Sequence, residues 1–224
     1  MSTTVKRLGR DPWQQIPASW ATYQRLLRDR GERGRPKYTY FNRRLTIVSP
    51  GAPHERLKKR VGGLIEDIGV GLRIPFLAFG ETTYQKPENP KAGIEPDESY
   101  YLTRLDLVRD NKRIVMGVDP APDLMVEIVA THPLGDAIQV YRHFGVREVW
   151  VFKRSALVIL ALGPGGRYAP TDTSPGLPFL KADEVTRWAY RDDLPDESEL
   201  RYQFRAWVTE TLAPRHRPPV EGAR

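Results

Sequence analysis

The sequence predicts an α/β protein in which a mixed β-sheet is flanked by helices. Short segments rich in β-branched and aromatic residues alternate with segments whose apolar residues recur every three or four positions. Tight turns join several of the strands, and this arrangement favours a mixed sheet with helices packed against it. A hydrophobic content of 40% with 10% aromatic residues is typical of a folded domain rather than a disordered chain.

The first third of the chain contains two predicted helices and a hairpin. Residues 1–17 are predicted to be a flexible lead. Residues 1–13 are polar and basic with no apolar signal core, so secretion is not expected. Ser19 can cap a helix over residues 20–29. Two strand-like runs within residues 38–48 predict a hairpin. Residues 57–72 show the clearest helical pattern in the chain, with one apolar face.

The rest of the chain alternates strands and helices. The predicted elements are a strand over 76–84, a strand that begins at Pro96 and Asp97, a strand over 123–129, a helix over 136–144, paired strands over 148–152 and 156–162, and a closing helix over 197–212. Residues 104–119 carry alternating charge and predict a variable loop or a ragged strand. Without a break in composition, a single domain over residues 18–212 is predicted, followed by a basic flexible tail over residues 213–224.

Composition excludes several classes of site. The chain has 224 residues and no cysteine, so disulfides, thiol nucleophiles and zinc–thiolate sites are excluded. The absence of cysteine fits a cytoplasmic protein, and no apolar run is long enough to predict a membrane partner. A net charge of +7 favours a polyanionic partner such as nucleic acid.

Two carboxylates in apolar surroundings organise the functional interpretation. Asp97 begins one predicted strand, and Glu127 lies within another. Because side chains of a strand alternate between faces, Glu127 shares a face with Asp123 and Met125. The opposite face carries Leu124, Val126 and Ile128. If the two strands are neighbours, Asp97 and Glu127 meet, and oxygen ligands of this kind suit Mg²⁺ or Mn²⁺.

A simpler interpretation of the same two residues stays open on the residues alone. Asp97 could begin a turn after Pro96, and Glu127 could pair with one of the 35 Lys and Arg residues. Asp123 is expected to structure the turn after Pro122 rather than to bind metal. Asp136 is expected to cap the helix that follows it.

The start of the second predicted helix carries the remaining candidates. His54 lies on its apolar face and is either a core-edge histidine or an active-site donor. Glu55 could be a third acid of a metal site. A basic cluster follows, which is either a solvated face or a patch that contacts phosphate; its members are Arg56, Lys58, Lys59 and Arg60.

Three segments, together with their order, carry a family resemblance. They read Gly-Ile-Glu-Pro-Asp-Glu-Ser-Tyr-Tyr at 93–101, Asp-Pro-Ala-Pro-Asp-Leu-Met-Val-Glu-Ile at 119–128 and Tyr-Arg-His-Phe-Gly-Val-Arg-Glu-Val-Trp at 141–150. Shorter matches lie at 44–50 and 79–83. The chain over residues 18–210 resembles the Uma-type putative restriction endonuclease family of the PD-(D/E)XK nuclease superfamily.

The resemblance implies a restriction-endonuclease-like core that holds Mg²⁺ or Mn²⁺ and hydrolyses phosphodiester bonds of DNA. Asp97 matches the family's first acid, Glu127 matches the second, and His54 matches a histidine placed after the first hairpin. Tyr141 and the pair Gly145-Val146 match the joint between the short helix and the next strand. Relatives that cut duplex DNA often act as pairs, so a homodimer is compatible with this reading.

Two positions depart from the family pattern. Ala137 stands where the family places a lysine, and Thr39 stands where many relatives carry a glutamate. The lysine normally positions the attacking water and stabilises developing charge. Lys58, Lys59 or Arg142 are candidate substitutes. The leading hypothesis is a metal-dependent DNA endonuclease. The alternatives are a relative that binds nucleic acid without cleaving it, and a scaffold in which both acids are structural.

Overall fold

The fold, a computed structural model that describes residues 11–31, 33–88 and 91–216, consists of two β-sheets and flanking helices. The strands are β1 (Trp13–Pro17), β2 (Lys37–Phe41), β3 (Arg44–Val48), β4 (Leu77–Ala78), β5 (Tyr84–Lys86), β6 (Ala92–Ile94), β7 (Glu98–Tyr101), β8 (Leu124–Val129), β9 (Glu148–Lys153), β10 (Ala156–Leu162) and β11 (Tyr168–Thr171). The helices are α1 (Trp20–Arg30), α2 (Ala52–Leu72), α3 (Gly135–Phe144), α4 (Ala182–Ala189), α5 (Glu197–Trp207) and α6 (Ala213–His216).

The predicted α/β class is confirmed, but the strands form two sheets rather than one. The first sheet has the order β1-β3-β2-β6-β5 and is antiparallel throughout. The second has the order β11-β10-β9-β8-β7-β4 and is mixed, because β8 and β9 run parallel. The chain crosses from the first sheet to the second between Ile94 and Glu98. Pro96 lies in this crossing, where a residue without a backbone N–H costs no ladder bond.

The second sheet separates two layers of apolar side chains. Leu124, Val126 and Ile128 of β8 pack on the side of α2, α4 and α5. Met125 and Val129 point to the opposite side, where α3 and strands of the first sheet cover them. The alternation predicted for this strand is therefore confirmed, and it places Glu127 on the side that faces the first sheet.

The predicted hairpin is also present. Its strands are β2 and β3, and its two turn residues, Asn42 and Arg43, have φ angles of 46° and 62°. Two consecutive residues with positive φ are the pattern of a two-residue hairpin whose twist matches its strands. α1 packs on this sheet through Tyr23, which stacks on Tyr40 with ring centroids 5.3 Å apart.

The prediction of a flexible lead over residues 1–17 is wrong for its last part. Trp13–Pro17 form strand β1, which pairs antiparallel with β3; residues 1–10 lie outside the described residues. This strand is exposed along its whole length, so no buried face marks it in the sequence. Residues 13–17 form a strand because the free edge of β3 supplies hydrogen-bond partners for their backbone.

The predicted tail requires a similar correction. Residues 213–216 form α6, and Arg215 Nη1 lies 2.8 Å from Glu184 Oε1 on α4. Residues 217–224 lie outside the described residues. The closing helix was predicted as one segment over 197–212. Its α-helical part, α5, ends at Trp207, and a π-helical segment over Val208–Leu212 follows it.

Three further expectations change in detail. The single strand predicted over 76–84 is divided, with β4 in the second sheet and β5 in the first. The loop over 104–119 contains a 3₁₀ turn, Leu105–Leu107. Asp136 does not cap α3, because its carboxylate instead binds the side chains of Arg44 and Gln15.

Among the helices within the described ranges, none is long and apolar enough to cross a bilayer.

Candidate active site

The two acids meet where the chain crosses between the sheets. The Asp97 backbone N–H donates to the Val126 carbonyl over 3.0 Å, and Asp97 Oδ2 accepts from the Ile128 N–H at 2.7 Å. Asp97 therefore lies alongside β8 at the position of Glu127. Both carboxylates line one cavity of about 30 Å³, which is enough for a water molecule or a small ion but not for a nucleotide.

Asp97 is bound by two side chains from different elements. Lys37 Nζ, at the start of β2, lies 2.5 Å from Asp97 Oδ1. His54 Nε2, in the first turn of α2, lies 2.9 Å from the same oxygen. Asp97 and His54 are each 1% exposed, and Lys37 is 8% exposed. The carboxylate is thus buried with its charge compensated by groups that the first sheet and α2 bring to it.

This arrangement keeps both members of the ion pair charged. Burial alone would raise the pKa of Asp97, but the attraction of Lys37 and the hydrogen bond from His54 outweigh it and hold that pKa well below its usual range. Burial likewise opposes the charge of Lys37. The attraction of Asp97 and Glu127 is larger, so the pKa of Lys37 is raised.

Glu127 has a different environment. Its Oε1 accepts a hydrogen bond from the Tyr141 hydroxyl on α3. Burial, with added repulsion from Asp97, raises the pKa of Glu127 to about 7, although Lys37 and Tyr141 partly oppose this. Two neighbouring carboxylates with pKa values pushed in opposite directions are typical of a functional site.

A relay of side chains fixes His54. Its Nδ1 lies 2.8 Å from Asp11 Oδ2, while Nε2 contacts Asp97. Burial disfavours the imidazolium, but the two carboxylates outweigh it and raise the pKa of His54 to about 9. Asp11 also accepts the Gly51 N–H at 2.9 Å, which ties it to the start of α2. A residue from the predicted flexible lead is thus part of the site.

Glu95 holds the crossing segment in place. Its carboxylate binds the Arg30 guanidinium, the Tyr38 backbone N–H at 2.9 Å and the Thr83 hydroxyl at 2.7 Å. These contacts join α1, β2 and the loop before β5 to the residue two positions before Asp97. The position of Asp97 therefore depends on the packing of the whole first sheet.

His132 completes the polar lining. It is 8% exposed, and its Nδ1 has no hydrogen-bond partner among the described residues. Burial lowers the pKa of His132 to about 4, so the ring is neutral at pH 7. No local pattern singles out His132, because no second histidine stands at metal-ligand spacing from it.

The comparisons with known proteins identify the family of this chain. A family profile described as "Uma2: Putative restriction endonuclease" matches residues 20–194, most of the chain. The chain belongs to this family. Both acids, Lys37, His54 and His132 lie inside the matched region, whereas Asp11 lies before it.

The fold has a counterpart among solved structures. A protein from Anabaena variabilis, described as a putative nuclease belonging to DUF820, superimposes with a TM-score of 0.52 at 16% identity. The match covers 69% of the present Uma2 chain and 92% of that protein. At this identity the likeness concerns the fold. A comparison with curated proteins gave no match.

The two departures from the Uma2 pattern both lie in the cavity. Thr39 and Ala137 line it together with the acids. Lys37, which the sequence analysis missed, stands on the same face of β2 as Thr39, two positions earlier. That spacing is the signal that could have found it. Because Lys37 supplies an ammonium group to the site, the main reason for a binding-only relative is weakened.

The other candidate cations do not reach the acids. Lys58 contacts Glu81, and Lys59 is exposed on α2. Arg142 is exposed on α3. None of the three lines the cavity, so the candidate substitutes named from the sequence are replaced by Lys37.

Glu55 is not brought to the acids either. It lies 3.1 Å from Arg35 and 3.7 Å from Lys58, and it does not line the cavity. The expectation that Glu55 is a third acid of the site is therefore not supported. The reason is helical geometry, since adjacent residues on a helix point about 100° apart and only His54 faces inward.

The predicted phosphate-contacting patch is largely neutralised by the protein itself. Arg60 binds Glu197 and the carbonyls of Ala189 and Arg191, and Arg56 lies 3.4 Å from Glu197. With Lys58 also paired, only Lys59 of the four is exposed without a described carboxylate partner. The cluster joins α2 to α4 and α5 more than it presents charge to a ligand.

The donors at the cavity fit a small cation that prefers oxygen ligands. Asp97 and Glu127 both line the cavity, and hard cations such as Mg²⁺ or Mn²⁺ bind one or two carboxylates and keep several waters. Within the described ranges, no cluster of three or more His, Cys, Asp or Glu is arranged to hold a metal. The chain would therefore supply two carboxylate ligands to such a cation. Lys37 occupies one oxygen of Asp97, the first of these ligands.

Proposed function

We propose that this protein is a Mg²⁺- or Mn²⁺-dependent endonuclease that hydrolyses phosphodiester bonds of DNA. The observation that carries the proposal is the convergence of Asp97 and Glu127 at one small cavity, beside Lys37 and His54, in a member of the Uma2 family. The net charge of +7 supports a polyanionic substrate.

Asp97 and Glu127 are the proposed metal ligands. A divalent ion at such a site lowers the pKa of a bound water and neutralises charge on the scissile phosphate. Tyr141 holds Glu127 through its hydroxyl hydrogen bond and so limits the rotamers of that side chain. The backbone N–H of Ile128 fixes the second oxygen of Asp97.

Lys37 and His54 have separate proposed roles. The Lys37 ammonium is the cation in contact with Asp97, and its proposed role is to stabilise negative charge that develops on a phosphate. His54, held between Asp11 and Asp97, is a positioning residue that orients the Asp97 carboxylate. Neither role requires a lysine at position 137, where this chain has alanine.

A plasmid-nicking assay with Mg²⁺ or Mn²⁺ tests the proposal. Glu127→Gln keeps an oxygen that can accept from Tyr141 but removes the charge. We expect it to lower the cleavage rate by about 10²-fold or more, the effect typical of losing one charge-stabilising group. The matched control is Asp106→Asn, because Asp106 is exposed and its ion-pair partner among the described residues is Arg109, at 3.0 Å.

Two results would refute the proposal. Equal nicking by the wild type and Glu127→Gln would show that cleavage, if present, does not use this carboxylate. No nicking by the wild type with either ion would remove the endonuclease activity itself. An RNA duplex in parallel tests the substrate class, and cleavage of RNA alone would exclude DNA as the substrate.

A further inference from the structure

The oxygens of Asp97 are already engaged by the protein. Oδ1 contacts Lys37 Nζ at 2.5 Å and His54 Nε2 at 2.9 Å, and Oδ2 accepts from Ile128 N at 2.7 Å. A carboxylate offers about four lone-pair directions, so three are taken. The backbone donor cannot leave without opening the contact to β8, and His54 is anchored by Asp11. Of the two side-chain partners, Lys37 is the one whose side chain makes no second hydrogen bond among the described residues.

Lys37 also borders a second, larger space. A cleft of about 280 Å³ adjoins the small cavity, and Lys37 and Glu95 line both. Glu81 also lines the cleft, and its charge attracts Lys37. A lysine is a compact charge on a flexible four-carbon stem, so its ammonium can exchange between the two spaces without a backbone change.

We propose that the Lys37 ammonium and a divalent cation compete for Asp97, so that metal binds only when Lys37 moves from the acid cavity to the adjoining cleft. The inference rests on the proposed function, because it assumes that Asp97 and Glu127 are the metal ligands. An ammonium in contact with Oδ1 would lie within a few ångströms of any ion on the same carboxylate, where like charges repel strongly in a buried site.

This competition has a consequence that separates binding from catalysis. Removing the ammonium frees a carboxylate lone pair and removes one positive charge, so metal affinity should rise. Removing the same ammonium takes away the group proposed to stabilise a phosphate, so cleavage should fall. A lysine that only supported the metal site would instead lower both quantities together.

Calorimetry of Mn²⁺ binding to the full-length protein tests the competition. Lys37→Met keeps the length of the side chain but not its charge. We expect Lys37→Met to bind one Mn²⁺ at least tenfold more tightly than the wild type, while its plasmid nicking falls. The matched control is Lys112→Met, since Lys112 is exposed in the loop before β8 and lines neither space.

Several outcomes overturn the inference. Equal or weaker Mn²⁺ binding by Lys37→Met, with wild-type binding intact, refutes the competition but leaves the proposed function standing. No binding by either protein refutes both the competition and the metal requirement. Tighter binding that persists in Lys37→Met combined with Glu127→Gln would place the ion elsewhere and also refute it. Circular dichroism and Lys37→Gln, a second neutral variant, guard against misfolding as the cause.

Discussion

Lys37 and Ala137 are far apart in the chain, yet both line the cavity that holds Asp97 and Glu127. In the family pattern a lysine at the start of the short helix supplies the cation. In this chain Lys37, on the first strand of the hairpin, supplies it instead. What the chemistry requires is an ammonium within contact distance of the acids, and more than one backbone position can supply it. Asp11 is a second example, because it completes the relay to His54 from before the region that matches the family.

At the residue scale, the relay makes a prediction about His54. Asp11→Asn removes one of the two carboxylates that stabilise the imidazolium. The pKa of His54 should then fall from about 9 toward its ordinary value of 6.5. A nearby opposite charge typically moves a pKa by about 1–3. NMR titration of the histidine ring protons measures this directly.

The control for this measurement is Asp106→Asn, a surface change that should leave the titration of His54 unaltered. An unchanged His54 titration in Asp11→Asn would mean that Asp97 alone sets the protonation of this ring. The relay would then be a structural contact without electrostatic weight.

At the scale of elements, the site depends on how α1 and the first sheet hold the crossing segment. Arg30, the last residue of α1, binds Glu95 in that segment. Tyr23, in the first turn of α1, packs over β6 at Gly93, one residue before the end of the strand. α1 therefore fixes the crossing from two directions, through an ion pair and through close packing.

Gly93→Ala tests the packing contribution. A Cβ at this position would lie 2.3 Å from Tyr23 Oη and 2.6 Å from Cζ, so the buried ring must shift. Overpacking of this kind typically costs about 1–3 kcal/mol in the free energy of unfolding. Urea denaturation measures the loss.

Gly165→Ala is the matched control, because a Cβ at Gly165 meets nothing within 4 Å. If Gly93→Ala unfolds at the same urea concentration as the control, the contact between α1 and β6 is looser than the structure indicates. A second readout is the plasmid-nicking rate, which should fall with Gly93→Ala if the position of Asp97 depends on this contact.

At the scale of the whole molecule, buried carboxylates link stability to acid pH. The buried Asp123 carboxylate accepts hydrogen bonds from the backbone N–H groups of Leu102 and Thr103, at 2.8 and 2.9 Å, and from the Thr103 hydroxyl. These bonds offset the cost of burying its charge. Burial would raise its pKa, but these bonds and the Arg104 charge outweigh it, so the pKa of Asp123 is lowered. As expected from the sequence, Asp123 is structural: it joins the end of β7 to the start of β8.

The sign of the pH dependence follows from the direction of that shift. A group whose pKa is lower in the folded state stabilises the fold above its unfolded pKa and loses this contribution as the pH falls. Asp123→Asn should therefore lower the free energy of unfolding by about 1.5–3 kcal/mol at pH 7, as expected for hydrogen bonds to a charged group. The difference from the wild type should shrink as the pH falls below 3.8, the ordinary value for the residue.

Urea denaturation at a series of pH values measures this difference, with Asp106→Asn as the control. A difference that stays constant down to the acid limit would show that the neutral and charged carboxyls bind their partners equally well. The stabilisation would then come from shape and not from charge.

The sequence by itself determined several of the main elements and singled out the two acids. Hydrophobic periodicity placed α2 and the hairpin, and the alternation in residues 123–129 placed Glu127 on a different face from Val126, since these patterns reflect local geometry. The family resemblance singled out Asp97 and His54, and both line the cavity.

Only the tertiary structure decided which charges surround those acids. β1 is a strand because β3 has a free edge, and Asp136 binds Arg44 instead of capping α3. Lys37 reaches Asp97 because β2 lies beside the crossing between two sheets. Such contacts join residues distant in the chain, and the energy of a buried charge depends on what packs around it, which no local pattern encodes.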